Sequence, residues 1–284
     1  MLNFSPSKWR LLRNGPARGA LNMAIDEAIL GSVSKGEAPP TLRLYAWEPP
    51  CLSLGFAQPV EDVDRDRLEE KGWDLVRRPT GGRAILHTDE LTYAVIAPHS
   101  EPRLAGGILE SYRRLSTALL RALELLGLAA QSKKFPEAHP GGIQITGNPD
   151  VPGPVCFEVP SNYEITASGK KLIGSAQARK QEGVLQHGSL PLFGDLTRIT
   201  GGLVFQDENE RKAAGERLLN RATTVESVTG CRLSWESAAD AFVAAFRETL
   251  NLDLVPGTLT QFERAQAEAL VDKKYANPDW TERV

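Results

Sequence analysis

Cys156-Phe157-Glu158-Val159-Pro160-Ser161-Asn162-Tyr163-Glu164-Ile165 runs on into Thr166-Ala167-Ser168-Gly169-Lys170-Lys171-Leu172-Ile173-Gly174-Ser175-Ala176-Gln177. Two β-rich runs, residues 163–167 and 171–178, flank Ser168-Gly169-Lys170, which predicts a hairpin. Side chains alternate along a strand, so Lys171 is expected on one face with Ile173, Ser175 and Gln177, and Lys170 on the other. Upstream, Pro152-Gly153-Pro154 and Pro160 bracket Cys156. Prolines so placed exclude an interior strand or a mid-helix turn, which puts the thiol at the mouth of an element, where it can face a cleft. A thiolate is the attacking form of cysteine. A nearby lysine lowers the thiol pKa from its usual value of about 8.5, so covalent thioester chemistry is available here. By itself the cysteine reads first as a small buried hydrophobe, and only its flanks raise the nucleophile reading.

Outward from the hairpin the pattern alternates. An amphipathic helix is expected over residues 21–30 and half-buried strands over 41–47 and 51–55. A short charged helix follows at 63–72. Strands at 73–78 and 83–87 surround Pro79-Thr80-Gly81-Gly82, and another lies at 91–97. The longest helix is expected over 104–126, stopped by Gly127. After it, residues 135–154 form a long Pro- and Gly-rich loop, the kind that in compact domains is functional or disordered. A strand over 184–192 is expected to be the last. Beyond about residue 205 the chain reads as mainly helical, with apolar stripes at 238–250 and 259–270. Strands first and helices later, around one long helix, predict an α/β protein of the α+β type, with a mixed or antiparallel sheet flanked by helices. The whole of residues 1–284 is expected to be one catalytic domain, with 205–284 its helical part and no accessory domain. No Gly-x-Gly-x-x-Gly or P-loop pattern is present.

The chain has 284 residues, 41% of them hydrophobic, with a formal net charge of −3. That is enough to bury a large core, and it carries no overall nucleic-acid footprint. Apolar runs fall short of the roughly 20 residues of a membrane span, and the N-terminus lacks signal-peptide order. Three scattered cysteines make neither a disulfide framework nor a zinc spacing, and the four histidines pair at no metal-binding interval. A cytoplasmic protein without metal, nucleic-acid or membrane partners is expected. Cys51 and Cys231 read as packing residues, and His99 and His139 as surface residues.

Two further motifs stand out. In Arg77-Arg78-Pro79-Thr80-Gly81-Gly82-Arg83-Ala84-Ile85-Leu86-His87, paired glycines permit close backbone approach to a ligand, and arginines nearby suit an anion. The plainer reading is a hairpin turn with solvated arginines. In Gln186-His187-Gly188-Ser189-Leu190-Pro191-Leu192, the His-Gly pair admits a ligand or marks a bulge.

Taken together and in order, these motifs resemble the lipoate–biotin–protein ligase superfamily, most closely its octanoyltransferase branch, over roughly residues 8–280. The resemblance implies an acyl-binding tunnel in an α/β fold with a mixed sheet. It implies transfer of octanoyl from octanoyl–acyl carrier protein to a lysine of the glycine cleavage H protein or a related lipoyl domain, with no cofactor. Cys156 matches the acyl-thioester cysteine, and Lys171 the lysine that lowers its pKa. Gly81, Gly82 and His87 match the loop lining the acyl pocket, with Arg78 beside it. Gly174, Ser175 and His187 match wall positions. The length of the 136–154 stretch, Thr88 and Ala94 depart from the pattern and bear on donor access and minor contacts. Acyl carrier proteins are acidic, so a basic rim drawn from Arg77, Arg78, Arg83, Lys170, Lys171, Arg179 and Lys180 is expected.

The competing enzyme is an ATP-dependent lipoate–protein ligase. Against it stand Cys156-Phe157-Glu158 in place of a ligase-type Arg-Asn-Asp sequence, and the position of Lys274-Tyr275…Trp280 near the chain's end. A biotin ligase lacks its Gly-Arg-Gly-Arg-x-Gly loop here. A carrier-binding protein without chemistry is the non-enzymatic alternative, opposed by the presence of both Cys156 and Lys171.

Overall fold

The computed structural model describes residues 4–134 and 163–284. The elements, in chain order, are β1 (Ser7–Arg13), α1 (Gly19–Ser34), β2 (Thr41–Tyr45), β3 (Cys51–Leu54), α2 (Arg65–Glu70), β4 (Asp74–Arg77), β5 (Ile85–His87), β6 (Glu90–Ala97), α3 (Ile108–Leu125) and β7 (Ala130–Lys134). After the undescribed segment come β8 (Tyr163–Ala167), β9 (Lys170–Lys180), β10 (Gly183–Pro191), α4 (Glu208–Arg221), α5 (Val225–Thr229), α6 (Trp235–Leu250), β11 (Leu252–Pro256), α7 (Gln261–Leu270) and α8 (Pro278–Thr281).

Eight strands form one mixed sheet in the order β11-β1-β2-β6-β10-β9-β8-β7; β4-β3-β5 form a second, smaller sheet. β11, β1 and β2 run parallel, and the remaining pairs of the large sheet are antiparallel. This is the expected fold class. The central strands β6 and β10 are buried along their whole length, as strands covered on both faces must be. Alternation sorts their side chains. Leu42, Leu44, Leu91, Tyr93 and Val95 face α3 and α6, where Leu115, Leu119, Phe242 and Phe246 meet them. Tyr45, Ala94, Ile96 and Leu185 face α1, whose Met23, Ile25 and Ile29 fill the second core layer.

Three strands were not expected from the sequence: β1, β7 and β11. The last corrects the reading of residues 184–192 as the final strand, and it lies among the helices of the segment beyond 205. Leu252-Asp253-Leu254-Val255-Pro256 is too short and too near a proline to announce itself. It becomes a strand because Asn251, in the left-handed region at φ 51°, turns the chain out of α6 and onto β1, at the far end of the sequence. Of the two cysteines read as packing residues, Cys51 is buried against α1, whereas Cys231 is exposed. Among the described residues no helix is long and apolar enough to cross a membrane.

Candidate functional site

β8 and β9 form the expected hairpin, closed by Ser168 and Gly169 at φ 51° and 78°. Both corner residues in the left-handed region is the geometry of a two-residue turn that matches strand twist. The register then breaks. Ile165 faces Ile173 across the ladder, but Thr166 faces Lys171, so Leu172 is an extra residue. Such a bulge resets the alternation. Ile165, Leu172 and Ile173 all enter the α3/α6 core layer. Lys171 pairs with Thr166 and takes the opposite face of the sheet, the side on which α1 packs against β6 and β10. Sequence alternation alone put Lys171 on the same side as Ile173, Ser175 and Gln177; the bulge overturns that. Lys171 is 4% exposed, and its backbone carbonyl accepts from Thr223 N at 3.0 Å. Lys170 is half-buried, with Nζ on the carbonyl of Leu219 at 2.5 Å.

β10 lies beside β9 with His187 opposite Ala176 and Ser189 opposite Gly174. These residues share the α1 face with Lys171. His187 Nε2 is 2.7 Å from the hydroxyl of Thr80, which draws the Pro79–Gly82 loop down onto the strand. On its other side His187 Nδ1 is 3.7 Å from Asp26 Oδ2 on α1. At that separation the pair is too long for a well-formed hydrogen bond. Asp26 is fully buried and takes Arg43 Nη1 at 2.7 Å and the Tyr45 hydroxyl at 3.1 Å. Burial pushes the Asp26 carboxyl up, but Arg43 and His187 outweigh it, and it lies below the usual carboxylate value. Burial holds His187 below the ordinary imidazole value against the pull of Asp26, with Arg78 and His87 adding to the depression. His187 is therefore neutral at pH 7, and Arg43 is the cation that keeps Asp26 ionised there.

A second polar cluster adjoins the first along β10. His87 Nδ1 meets Glu90 Oε1 at 2.7 Å, its Nε2 meets Ser53 Oγ at 2.8 Å, and its ring stacks on Trp47 at 4.0 Å. Ser189 donates to Glu90 at 2.8 Å, and Thr92 also donates to it. Burial raises the Glu90 pKa, but His87, Thr92 and Ser189 together hold it below the ordinary value.

The Gly-Gly loop is held from beneath. Arg78 is 3% exposed and donates to the carbonyls of Ser53 (2.9 Å), Gly81 (2.9 Å) and Arg83 (2.8 Å), closing the loop on itself. Gly55 passes so near Gly82 that a Cβ there would lie 1.8 Å from the Gly82 carbonyl oxygen. Gly82 itself stands at φ 96°, and Gly81 opens onto free space. Arg77 is fully buried, donating to Gly55 O, Gln58 O and Thr281 O. Arg77, Arg78 and Lys171 are thus interior groups, and the expected basic rim does not include them.

Of the residues singled out by sequence, Arg78, Gly81, Gly82, His87, Lys171, Gly174 and His187 gather on the α1 side of β9 and β10. Ser175 does not. Its hydroxyl meets Tyr93 at 2.7 Å on the α3/α6 face, where burial pushes the Tyr93 phenol up to about 12. Gly188 leaves room for that contact, since a Cβ there would come within 2.7 Å of both Ser175 Oγ and the Tyr93 ring. Cys156 and His139 lie outside the described residues. Sequence reading missed Asp26, Arg43, Thr80 and Glu90. Asn22 and Asp26, spaced i,i+4 among the apolar residues of α1, were the legible sign of a buried polar seam. The described residues also frame an open cleft of about 700 Å³ lined by Arg18, Trp73, Asp74, Asp272 and Tyr275; none of the gathered residues lines it.

Residues 18–247, which hold all of the gathered residues, match the model of the lipoyl protein ligase A/B catalytic domain. The chain belongs to that family. It is 41% identical over 276 residues to octanoyltransferase LipM of Kyrpidia tusciae, covering 97% of this chain and 98% of that one. It is 41% identical over 286 residues to the same-named protein of Symbiobacterium thermophilum, covering 98% and 99%. Among solved structures, a chain of the bi-partite lipoate protein ligase system of the archaeon Thermoplasma acidophilum superposes with a TM-score of 0.79 at 26% identity, over 98% of this chain and 97% of that one. A lipoate-protein ligase A bound with ATP superposes at 0.76 with 26% identity, over 97% and 99%.

Proposed function

We infer that this chain is an octanoyltransferase of protein lipoylation, an acyltransferase acting on lipoyl-domain proteins. The observation that carries this is identity of about two residues in five, over nearly the whole length of both chains, with proteins named octanoyltransferase. The finer reading takes octanoyl–acyl carrier protein as donor and the glycine cleavage H protein, or a related lipoyl domain, as acceptor, in the cytoplasm. Cys156 is the nucleophile and Lys171 the cation that favours its thiolate. The Cys156 thiolate adds to the donor thioester carbonyl, the carrier sulfur leaves as thiolate and takes a proton, and an octanoyl–Cys156 thioester remains. The neutral ε-amine of the acceptor lysine then adds to that carbonyl. Cys156 leaves as thiolate, and the amine's proton passes to a nearby base, leaving the amide. Splitting the reaction lets two bulky proteins visit in turn. In this reading Arg78 shapes the Gly81–Gly82 loop, while His87, Gly174 and His187 line the acyl site; Ser175 supports β9 from behind.

The test is intact mass after mixing with octanoyl–acyl carrier protein. One octanoyl group is expected on the wild-type protein and none on Cys156→Ala, which stays folded and inactive. A folded Cys156→Ala that still octanoylates the acceptor at near the wild-type rate overturns the covalent route. The solved ligases in the comparison set favour a second reading, in which free octanoate with ATP and magnesium is activated. Product from that mixture moves the chain to the ligases; none is expected.

A further inference from the structure

Asp26 and Glu27 are neighbours on α1 but leave the helix in different directions. Asp26 turns in to His187, whereas Glu27 turns out to two lysines from separate parts of the chain. Lys274 Nζ sits 2.9 and 2.6 Å from its two oxygens, and Lys180 Nζ is 3.8 Å away; the Tyr275 hydroxyl also donates to it. Arg283 stands on the same patch. Its guanidinium carbon lies 4.1 Å from the Trp280 ring centroid and 3.6 Å from that of Phe56, and Nη2 donates to Phe56 O at 2.6 Å. Lys274 Nζ lies 4.2 Å from the same indole centroid. Among the described residues, Arg283 meets no carboxylate, and the adjacent Glu282 is taken by Arg65 at 2.7 Å. Two lysines therefore share the Glu27 carboxylate, and Arg283 stands beside them on the Trp280 ring that Lys274 also covers.

Positive charges gathered this way repel one another. Burial depresses the Lys274 pKa most, and Lys180 and Arg283 push it further down against Glu27. A fold gains nothing from such crowding by itself, whereas an incoming anion relieves it. The patch is accessible. Arg283 is exposed, Phe56 is 43% exposed, and the Lys180 side chain retains 31% of its surface. It also borders the site: Phe56 N donates to Thr80 O at 2.9 Å, and the Trp280 indole donates to Arg77 O.

We propose that Lys180, Lys274 and Arg283, with the Phe56 and Trp280 rings, form the docking surface for the acidic carrier protein that delivers the acyl chain; this rests on the donor reading above. Position selects the donor over the acceptor. Glu27 meets the patch while its neighbour Asp26 is fully buried beside His187, so the site lies beneath the surface that carries the patch. A carrier holds its thioester at the end of a long flexible arm, which spans that depth from a docked body. An acceptor presents only a lysine side chain, so its own body must sit closer to the reacting carbonyl. The rings supply apolar contact and hold Arg283 in place for an acidic helix.

The test compares donors on the Lys180→Glu/Arg283→Glu double variant, neither residue being part of the catalytic machinery. Acylation of Cys156 is followed by intact mass, with octanoyl–acyl carrier protein in one arm and S-octanoyl-pantetheine in the other. Expected is a loss of roughly 10- to 100-fold in kcat/KM for the carrier. The pantetheine rate stays within about two-fold, and the steep salt dependence of the wild-type carrier reaction flattens. A milder variant, Lys180→Ser/Arg283→Ser, gives a smaller loss in the same direction and serves if the charge reversal unfolds the protein. Unchanged carrier kinetics, or equal loss with both donors, overturns the proposal. So does a defect confined to discharge of preformed octanoyl-enzyme onto a lipoyl domain, which assigns the surface to the acceptor. If wild-type Cys156 accepts octanoyl from neither donor, the acyl-transfer reading itself fails, and the docking proposal with it.

Discussion

Lys170 and Lys171 are adjacent in sequence and unlike in surroundings. Lys171 is 4% exposed on the face shared with His187, and Lys170 reaches a carbonyl at the end of α4. A cation close to a thiol favours its ionised form, by about one to three pKa units for a near opposite charge. Lys171→Ala is therefore expected to shift the pH midpoint of Cys156 alkylation upward and to cut acylation strongly, while Lys170→Ala does neither. Equal, small changes in both would leave the thiol to another activator, with His187 the next candidate. Single residues were the scale at which the motifs spoke most clearly, because glycine pairs and a lysine after a tight turn carry their chemistry in their type. Asp26 was silent by comparison. A carboxylate on an apolar helix acquires meaning only when Arg43, Tyr45 and His187 arrive from other strands.

The elements carry the site through close approach. Gly55, at the end of β3, and Gly82 touch backbone to backbone, and Arg78 gathers the loop's carbonyls below them. Gly55→Ala places a methyl 1.8 Å from the Gly82 oxygen, so the loop must move. The expected outcome is at least about a ten-fold fall in octanoyl transfer, with a stability loss of about 1–3 kcal/mol from overpacking in a urea melt. Gly15→Ala, where nothing lies within 4 Å, is the neutral control. Wild-type kcat/KM in Gly55→Ala would remove the Pro79–Gly82 loop from the site. The hairpin of β8 and β9 was legible from its turn residues, but its register was not. The extra residue Leu172 reverses the alternation between Lys171 and Ile173. A bulge is decided by which side chains the two core layers accept, and strand periodicity does not record it.

At the scale of the whole molecule, the buried titrating groups set a pH response. His187 lies below its ordinary value, so the unfolded chain binds more protons than the folded one as pH falls below about 6.5, and stability declines there. Asp26, Glu27 and Glu90 are also depressed. Their contribution is complete above the unfolded carboxylate values of about 4 and is lost as pH falls through the lower folded values. Thermal melts should show a plateau above about pH 7, a shallow decline from near pH 6.5, and a steep one below about pH 4. His187→Gln should remove the shallow decline and leave the steep one. Stability that rises between pH 7 and 5.5 would mean that His187 is not held neutral.

Composition, turn chemistry and motif order by themselves determined the α/β class, the long helix ended by Gly127, the hairpin before the last central strand, and the family. Each of these rests on local preference or on residue types that carry chemistry alone. Only the tertiary structure decided that β11 closes the sheet onto β1, that Lys171 shares a sheet face with His187 rather than with Ser175, and that Arg77 and Arg78 are interior struts. It also decided that Lys180 and Lys274 meet on Glu27, with Arg283 beside them on Trp280. The β1–β11 pairing, the Arg77 contact with Thr281 and the Glu27 cluster depend on partners hundreds of residues away. A pairing across that distance is selected by the core the two segments bury together, and neither segment's own pattern states it.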